Sequence, residues 1–335
     1  MAYLSRLTSS LPNWTSGVAL AAIIAIISKQ LGELFPLFGS ILFAITIGIF
    51  LNNTVGIRSS YHIGIQIVLK KILKLAIILL GLGLNLQMII KVGQQSLLII
   101  LTSVILGILL TVWFGRLLKL DRTLTLMIGV GTSICGATAI SCVKGILDAK
   151  DDETAYAIST IVVFNLIAFF SYPLIGHLFQ FNATAFGIWA GTAVHDTSTA
   201  VAVGYAYGNE AGEVSTTVKL ARTLFILPIM LVLPLLMRGK TQPTSMKGSL
   251  KQAFPWFILW FLLMSVLNTV GIIPESIAQL SNDIAKFLII MVMAAVGLQV
   301  NVKQFASLGL KPFIVGLFAS ISVSVISLLM IFYLL

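Results

Sequence analysis

Apolar stretches of membrane-spanning length follow one another along nearly the whole chain, with short polar connections between them. A helix needs about 20 mainly apolar residues to cross a bilayer, and its backbone polar groups must then bond within the protein. Of the 335 residues, 58% are hydrophobic and 10% are charged, whereas roughly a quarter of the residues in a soluble domain are charged. The sequence therefore predicts an all-α, polytopic membrane protein, with residues 1–335 forming a single membrane domain.

Eleven membrane-embedded segments are expected along the chain. A short interfacial helix is expected before the third segment, from Tyr61 to Lys71, and the longest polar connection runs from Arg238 to Gln252. The segments are, in order, Gly17–Leu31, Leu37–Asn52, Ile72–Ile90, Leu97–Leu118, Leu124–Leu147, Ala155–Phe179, Ala185–Tyr207, Val214–Met237, Phe254–Ile272, Ile284–Val300 and Pro312–Leu335.

Basic residues concentrate in connections that can all lie on one side of the membrane. Because cytoplasmic connections carry an excess of Lys and Arg, this distribution predicts a cytoplasmic N-terminus. The net charge of +10 is spread over such connections without a basic tail, so we expect the lipid bilayer and a small anion as partners and no nucleic acid. A homodimer is compatible with the sequence. The basic clusters are Arg58, Lys70 and Lys71 before the third segment, Arg116, Lys119 and Arg122 before the fifth, and the 238–252 connection.

Two pairs of similar short motifs within the chain indicate inverted repeats. Gly83–Asn85 ends the third segment and Gly297–Gln299 ends the tenth, while Gly131–Ile134 in the fifth is matched by Gly191–Val194 in the seventh. Glycine-interrupted segments in corresponding positions are typical of inverted-repeat transporters. If the fifth and seventh segments both cross the membrane, they run parallel and break the inversion. If both are re-entrant hairpins, they enter from opposite faces and the inversion is kept.

The centre of the fifth segment combines glycines with hydroxyl side chains. Gly129, Gly131 and Gly136 weaken the helix, and an unwound turn would expose backbone N–H groups to an anion. A half-helix that begins near Gly136 would point the positive end of its dipole at the gap. The alternative is a small-residue face for helix packing. The candidate anion-binding residues here are Thr132, Ser133, Cys135, Gly136 and Thr138.

His195 and Asp196 stand at the middle of the apolar seventh segment. A carboxylate at that depth costs about 2.5–3.5 kcal/mol, and ionisable residues inside the membrane are functional by default. The pair therefore predicts a polar pocket, to which Thr197 and Ser198 would contribute. His195 could carry a coupling proton, or Asp196 could hold Na⁺. The alternative is an internally satisfied His–Asp pair that fixes a helix contact.

Lys219 and Arg222 in the eighth segment lie three residues apart and therefore on one face of the helix. The apolar run after them, Leu224 to Met237, is only about 21 Å long, so a helix that spans about 30 Å must include both basic residues. They would either attract an anion or extend to the lipid headgroups.

The sequence lacks the motifs of metal binding, phosphate binding and nucleophilic catalysis. The three histidines do not have the spacing of metal ligands, and there is neither a phosphate-binding loop nor a nucleophile elbow. Cys135 and Cys142 lie seven residues apart on one helix and cannot reach disulfide distance. We therefore expect no enzyme activity and no cofactor, apart from H⁺ or Na⁺ as a coupling ion.

Several stretches resemble a family of bacterial membrane proteins. The stretches are Gly131–Ile140, Val194–Asp196 and Ala295–Leu298, and Lys219–Arg222 and Gly309–Pro312 extend the likeness over nearly the whole chain. On these residues the chain resembles the YeiH-type family, inner-membrane proteins described as sulfate exporters. The resemblance implies an inner-membrane transporter, sulfate as a candidate substrate, and kinship with antiporter-like folds built from inverted repeats. Family members often carry Glu after the central His, whereas Asp here keeps the charge with a shorter reach.

These observations lead to one hypothesis and two alternatives. The hypothesis is a secondary transporter that exports a small anion, such as sulfate or an organic sulfonate or carboxylate, from a site between two interrupted helices near the membrane midplane. The first alternative is a cation/proton antiporter that uses Asp196 as its ion-binding carboxylate. The second is an intramembrane enzyme that uses His195 with Asp196 as an acid–base pair. The candidate substrate-binding residues are Thr132, Ser133, Cys135, Gly136, Thr138, His195, Asp196, Thr197, Ser198, Lys219 and Arg222.

Overall fold

The computed structural model describes residues 14–36, 39–236, 254–302 and 309–335, and the regular secondary structure within these ranges is entirely helical. A five-residue π-helical stretch, Val68–Ile72, joins the third α-helix to the fourth. The α-helices are α1 (Thr15–Leu34), α2 (Gly39–Thr54), α3 (Ser59–Ile67), α4 (Leu73–Gly83), α5 (Leu86–Leu117), α6 (Arg122–Ser133), α7 (Ala137–Leu147), α8 (Asp151–Leu178), α9 (Ala183–Ala193), α10 (Thr197–Tyr207), α11 (Asn209–Thr223), α12 (Ile226–Leu236), α13 (Trp256–Thr269), α14 (Glu275–Gln299) and α15 (Leu310–Leu334).

Six helical stretches of the described chain are long and apolar enough to cross a membrane. They are α1, α5, α8, α14, α15 and Asn209–Leu235, which contains α11 and most of α12. Three further apolar helices, α2, α7 and α13, are shorter. A helical, polytopic membrane protein is therefore confirmed, while the count of eleven segments stays a prediction. Leu37, Met237 and the connection from Arg238 to Gln252 lie outside the described residues.

The third predicted segment, Ile72–Ile90, has the wrong bounds. The helix that begins at Ser59 continues through the π-helical stretch to Gly83, so the predicted interfacial helix is the first half of that longer run. A new helix, α5, begins after Asn85, whose side chain accepts a hydrogen bond from the Gln87 N–H at 2.7 Å. Hydropathy does not reveal this turn, because the residues on both sides of it are apolar.

The chain divides into two compact units. The first unit comprises Met1–Gly83 and Ile273–Val302, and it therefore contains α1 to α4 and α14. The second comprises Leu84–Ile272 and Lys303–Leu335, and it contains α5 to α13 and α15. Both interrupted segments belong to the second unit.

Glycine allows close helix packing within the first unit. A Cβ atom on Gly48 of α2 would lie 2.6 Å from the Ala294 carbonyl oxygen of α14, so these two helices approach backbone to backbone. The side-chain amides of Asn52 and Asn53 donate to the Val300 carbonyl oxygen at 3.0 and 2.9 Å. These bonds supply a partner to a carbonyl group at the end of α14.

In the second unit, the seventh segment forms a hairpin of two helices, α9 and α10. The Tyr207 hydroxyl, at the end of α10, donates to the carbonyl oxygen of Phe181, just before α9, at 2.5 Å. One continuous helix would hold residues 181 and 207 about 39 Å apart. Each arm has 11 residues and is therefore about 16 Å long, roughly half of a hydrocarbon core of about 30 Å. The tip, Val194–Asp196, lies at that distance from the base.

Helix α15 contacts several neighbours and so shows how they are placed along its length. Near its beginning, Phe313 packs on Phe164 of α8 with ring centroids 5.2 Å apart. Near its middle, the Ser320 hydroxyl bonds to His195 at 2.7 Å, and near its end Phe332 packs on Phe181 at 6.0 Å. The base of the α9–α10 hairpin therefore lies at the end of α15, and its tip lies at the middle.

The fifth segment is also a hairpin, of α6 and α7, and it enters from the other end of α15. A Cβ atom on Gly115 would lie 2.3 Å from Thr125 in the first turn of α6. The neighbouring Phe114 stacks on Phe318 of α15 at 4.0 Å, and Ser103, earlier on α5, bonds to Ser327, later on α15, at 3.0 Å. Helix α5 therefore runs antiparallel to α15, and its end, with the first turn of α6, lies toward the beginning of α15. The end of α7 is joined to the beginning of α8 by an ion pair between Lys144 and Asp151 at 2.5 Å.

The direction of α8 places the end of α7 on the same side as the beginning of α6. Phe164 of α8 lies beside the beginning of α15, and Phe181, three residues after the end of α8, lies beside the end of α15. The first turn of α8, with Asp151, therefore lies toward the beginning of α15. Within the second unit, the two hairpins thus enter from opposite ends of α15 and their tips approach its middle.

Candidate functional site

The tips of the two hairpins meet at Gly136 and Asp196. Gly136 has φ +66° and ψ −132°, a backbone geometry that glycine adopts readily and that strains other residues. A Cβ atom on Gly136 would also lie only 3.3 Å from Asp196 Cα. The helix of the fifth segment is therefore interrupted at one of the glycines that the sequence singled out. We call the place where Thr132–Gly136 and Val194–Asp196 meet the crossing.

Arg222 of α11 joins the two hairpins through their backbones. Its side chain is 0% exposed. Its Nε donates to the Ser133 carbonyl oxygen at 2.8 Å, its Nη2 to that of Thr132 at 2.5 Å, and its Nη1 to that of Val194 at 3.1 Å. Thr132 and Ser133 end α6, and Val194 follows α9. The planar guanidinium thus presents several fixed donors to two helix ends at once.

Lys219, one turn earlier on α11, makes the same kind of contact. Its Nζ donates to the carbonyl oxygens of Val194 at 2.6 Å and Ile134 at 3.1 Å, and its side chain is 0% exposed. Of the two roles that the sequence left open for Lys219 and Arg222, extension to the lipid headgroups is therefore wrong. Both cations lie at the crossing.

Helix dipoles explain why two cations are stable at this place. α6 and α9 both end at the crossing, where carbonyl groups lack partners within their own helix and carry a partial negative charge of about −0.5 per helix. Lys219 and Arg222 supply the missing donors. The described hydrogen-bond partners of Lys219 and Arg222 are all backbone carbonyl oxygens, and no described carboxylate forms an ion pair with either cation.

His195 is 1% exposed, and both of its ring nitrogens have partners. Nδ1 lies 3.1 Å from the Thr132 carbonyl oxygen, which can only accept, so Nδ1 carries the hydrogen. Nε2 lies 2.7 Å from the Ser320 hydroxyl of α15. The described hydrogen bonds do not join the imidazole to the Asp196 carboxylate, but each group has partners within the protein, and His195 fixes the tip of the α9–α10 hairpin against α15, as the structural alternative expects.

Sequence reasoning missed two residues that hold the crossing, Asn165 and Ser320. The Asn165 side-chain oxygen accepts hydrogen bonds from the backbone N–H groups of His195 and Asp196, each at 3.1 Å. Asn165 is a single amide within the apolar sixth segment, and that signal could have revealed it. Ser320 stands among several serines of the last segment and carries no comparable signal.

The accessible edge of the crossing is formed by the beginnings of α7 and α10. Thr138, in the first turn of α7, is exposed, and Asp196 and Thr197 are half-buried. The Asp196 carboxylate accepts hydrogen bonds from the backbone N–H of Ser198 at 3.0 Å and from its hydroxyl. The protein therefore covers the crossing only partly beside Asp196, whereas His195 and the two cations lie beneath its surface.

The two helices that begin at the crossing have different caps. α10 is capped by the Asp196 carboxylate. α7 begins after Gly136, which has no side chain, and it has no side-chain cap. N–H groups in the first turn of a helix lack partners within the helix and attract anions. The first backbone N–H groups of α7 are therefore not capped by a side chain of the protein and are hydrogen-bond donors for an anion.

The remaining predicted residues contribute in different ways. The Thr132 hydroxyl bonds within its own helix, to the Ile128 carbonyl oxygen at 2.8 Å, and only its backbone faces the cations. The Ser133 hydroxyl is buried and has no hydrogen-bond partner among the described residues. The Cys135 side chain is 2% exposed. The described residues contain no group of three or more His, Cys, Asp or Glu that could hold a metal ion.

Comparison with known proteins places the chain among bacterial membrane proteins. The family model of conserved hypothetical protein 698 matches residues 16–316. The chain is similar to the UPF0324 membrane protein of Clostridium tetani, with 37% identity over 331 residues that cover 94% of this chain and 96% of that protein. It is also similar to UPF0324 membrane proteins of Fusobacterium nucleatum, with 37% identity over 332 residues (93% and 96% covered), and of Streptococcus agalactiae, with 38% identity over 322 residues (94% and 96% covered). These names specify a membrane protein and no substrate.

Proposed function

The chain belongs to the conserved hypothetical protein 698 family, the YeiH-type membrane proteins, and from that premise we propose that it is a secondary transporter of a small anion. Family membership bears out the resemblance drawn from the sequence. The transported anion, the direction of export, the inner membrane and the cytoplasmic N-terminus are parts of the proposal. The orientation rests on the basic connections between segments.

The proposal is carried by the two buried cations of the crossing. Lys219 and Arg222 are bonded to backbone carbonyl groups, and in the described residues neither is paired with a carboxylate. Two buried positive charges that are bonded only to neutral groups raise the potential of their surroundings, and they do so more strongly in a medium of low dielectric constant. An anion that reached the crossing would be stabilised by that potential, whereas a metal cation would be repelled.

We place the anion at the accessible edge rather than beside His195. The uncapped beginning of α7 supplies backbone donors, and the exposed Thr138 adds a hydroxyl. His195, with both ring nitrogens bonded, positions the tip of the α9–α10 hairpin against α15. Since its ring and the Ser320 hydroxyl are both buried, we propose a structural role for this contact and no enzymatic turnover.

The hairpin geometry supports transport by alternating access. Two half-membrane hairpins that enter from opposite ends of α15 correspond to the re-entrant version of the inverted repeat, and such repeats place their sites near the membrane midplane. We propose that the unit with the crossing moves against the remaining helices during transport, with H⁺ or Na⁺ as the coupling ion. Sulfate and organic sulfonates or carboxylates are the candidate substrates.

The proposal is tested by a substitution that introduces a carboxylate side chain at the beginning of α7, where the transported anion is expected to bind. Thr138→Glu puts a carboxylate in the first turn of α7, where it is favourable to the helix by about 0.3–1 kcal/mol. Thr138→Gln is the matched control, with the same shape and no charge. We expect oxyanions such as sulfate or methanesulfonate to raise the melting temperature of the wild type and of Thr138→Gln, and to leave Thr138→Glu unchanged. The proposal fails if no oxyanion stabilises the wild type, or if the Glu variant responds as the wild type does.

A cation/proton antiporter is the second candidate, because the Asp196 carboxylate is half-buried at the accessible edge. Its oxygen atoms could hold a cation there, although Lys219 and Arg222 oppose one. In proteoliposomes with an internal pH dye, an antiporter would change the internal pH when Na⁺ or K⁺ is added, with no dependence on the anion supplied. An anion transporter would instead take up a labelled oxyanion.

A further inference from the structure

The crossing carries more positive than negative fixed charge. Lys219 and Arg222 are fully buried there, and Asp196 is the one carboxylate of the crossing itself. No Asp or Glu side chain is buried in the ranges that the structure describes. The nearest preceding carboxylate on α11, Glu213, comes six residues before Lys219, which is about 9 Å along the helix axis.

The helix dipoles and His195 leave this balance unchanged. α6 and α9 end at the crossing and α7 and α10 begin there, so two negative and two positive partial charges cancel. The imidazole is neutral in this arrangement, because its Nδ1 shares the Thr132 carbonyl oxygen with the Arg222 guanidinium and a second cation on that oxygen would be repelled. With Lys219 and Arg222 both protonated, the state that their bonds to carbonyl oxygens favour, two cations less one carboxylate leave a fixed charge of +1 at the crossing.

We infer that the site is matched to a singly charged oxyanion, and that a doubly charged one binds there only together with a proton or a metal cation. This inference rests on the proposed function. Charge that is not neutralised is costly inside a membrane, so the occupied site is most stable when its total charge is zero. A monoanion brings the total to zero, whereas a dianion leaves one negative charge. Organic sulfonates and monocarboxylates belong to the favoured class, and sulfate does not.

The test compares two tetrahedral sulfur oxyanions of different charge, methanesulfonate and sulfate. Their dissociation constants are measured from ligand-dependent melting temperatures at constant ionic strength and pH 7. Asp196→Asn raises the fixed charge by one and keeps the cap of α10, because Asn is as good an N-cap as Asp. Asp121→Asn is the matched control, since Asp121 caps α6 in the same way, through the Thr123 N–H at 2.7 Å, and lies about 18 Å from the other end of that helix.

We expect the wild type and Asp121→Asn to bind methanesulfonate more tightly than sulfate. In Asp196→Asn, the preference should move toward sulfate by at least about tenfold, which corresponds to about 1.4 kcal/mol. Tighter binding of sulfate by the wild type, or an equal preference in Asp196→Asn and the wild type, would overturn the inference that the site is matched to a singly charged anion. Either result would still agree with the proposed anion transporter. Absence of binding of both anions to the wild type would overturn the proposed function and this inference together.

Discussion

Replacing Arg222 by Met should destabilise the protein strongly, because it removes the charge and the donors and keeps an apolar side chain of similar length. Three buried carbonyl oxygens lose donors that lie 2.5–3.1 Å away. At the average of about 0.6 kcal/mol for hydrogen bonds between membrane helices, these three bonds contribute about 2 kcal/mol. The Thr132 and Val194 carbonyl oxygens keep His195 and Lys219 as donors, whereas the buried Ser133 carbonyl oxygen loses the Arg222 donor, and an unsatisfied buried acceptor costs about 1–3 kcal/mol. We therefore expect the free energy of unfolding to fall by about 2–5 kcal/mol.

The assay is thermal unfolding in detergent, followed by intrinsic tryptophan fluorescence. Arg116→Met is the matched control: Arg116 is exposed near the end of α5, and its replacement should change the stability by no more than about 0.5 kcal/mol. Arg222→Lys should fall between the two, because it keeps the charge and loses the planar fork of donors. If Arg222→Met melted at the same temperature as Arg116→Met, the guanidinium would not be what holds the two hairpins together.

Two further changes test the tips of the hairpins. Gly136→Ala should lower the free energy of unfolding by about 1–3 kcal/mol, because alanine is strained at φ +66°. Gly145→Ala is the control: Gly145 lies within α7 with open space around it, so its replacement should be neutral or stabilising. Equal melting temperatures of the two variants would contradict the strain at Gly136. Asn165→Leu should lower stability by about 1–3 kcal/mol for each of the two N–H groups that it leaves unbonded. In the same melting assay, Asn209→Leu at an exposed position should change little, and a similar loss in both variants would argue against the role of Asn165.

Residue patterns predicted the broken helices well. Gly136 is a glycine in the middle of an apolar segment, which the sequence alone shows, and it adopts a backbone conformation that strains other residues. A break at such a position depends on the local sequence and not on distant contacts. His195 and Asp196 are equally visible, because ionisable side chains are rare at the centre of an apolar run. The resemblance to the YeiH-type family rested on these same stretches, and the comparisons confirmed it.

Tertiary contacts were beyond such patterns. The spacing of Lys219 and Arg222 showed that they share a helix face, but not that both would turn toward the carbonyl ends of two other helices. Thr138 belongs to the same hydroxyl cluster as Thr132 in the sequence, and yet one is exposed and the other is buried. The choice between crossing segments and hairpins also depended on contacts between residues far apart in the chain, such as Tyr207 with Phe181.

Accessibility of single cysteines tests most directly whether the two hairpins enter from opposite faces. In a background with Cys135→Ala and Cys142→Ala, one exposed position at each hairpin end is replaced by Cys and labelled in intact cells with a membrane-impermeant maleimide. We expect Phe179→Cys and Asn209→Cys to label from outside, and Arg122→Cys and Lys150→Cys to label only after the membrane is opened. If the two positions that flank either hairpin labelled from different sides, that segment would cross the membrane, and the crossing as described would be contradicted.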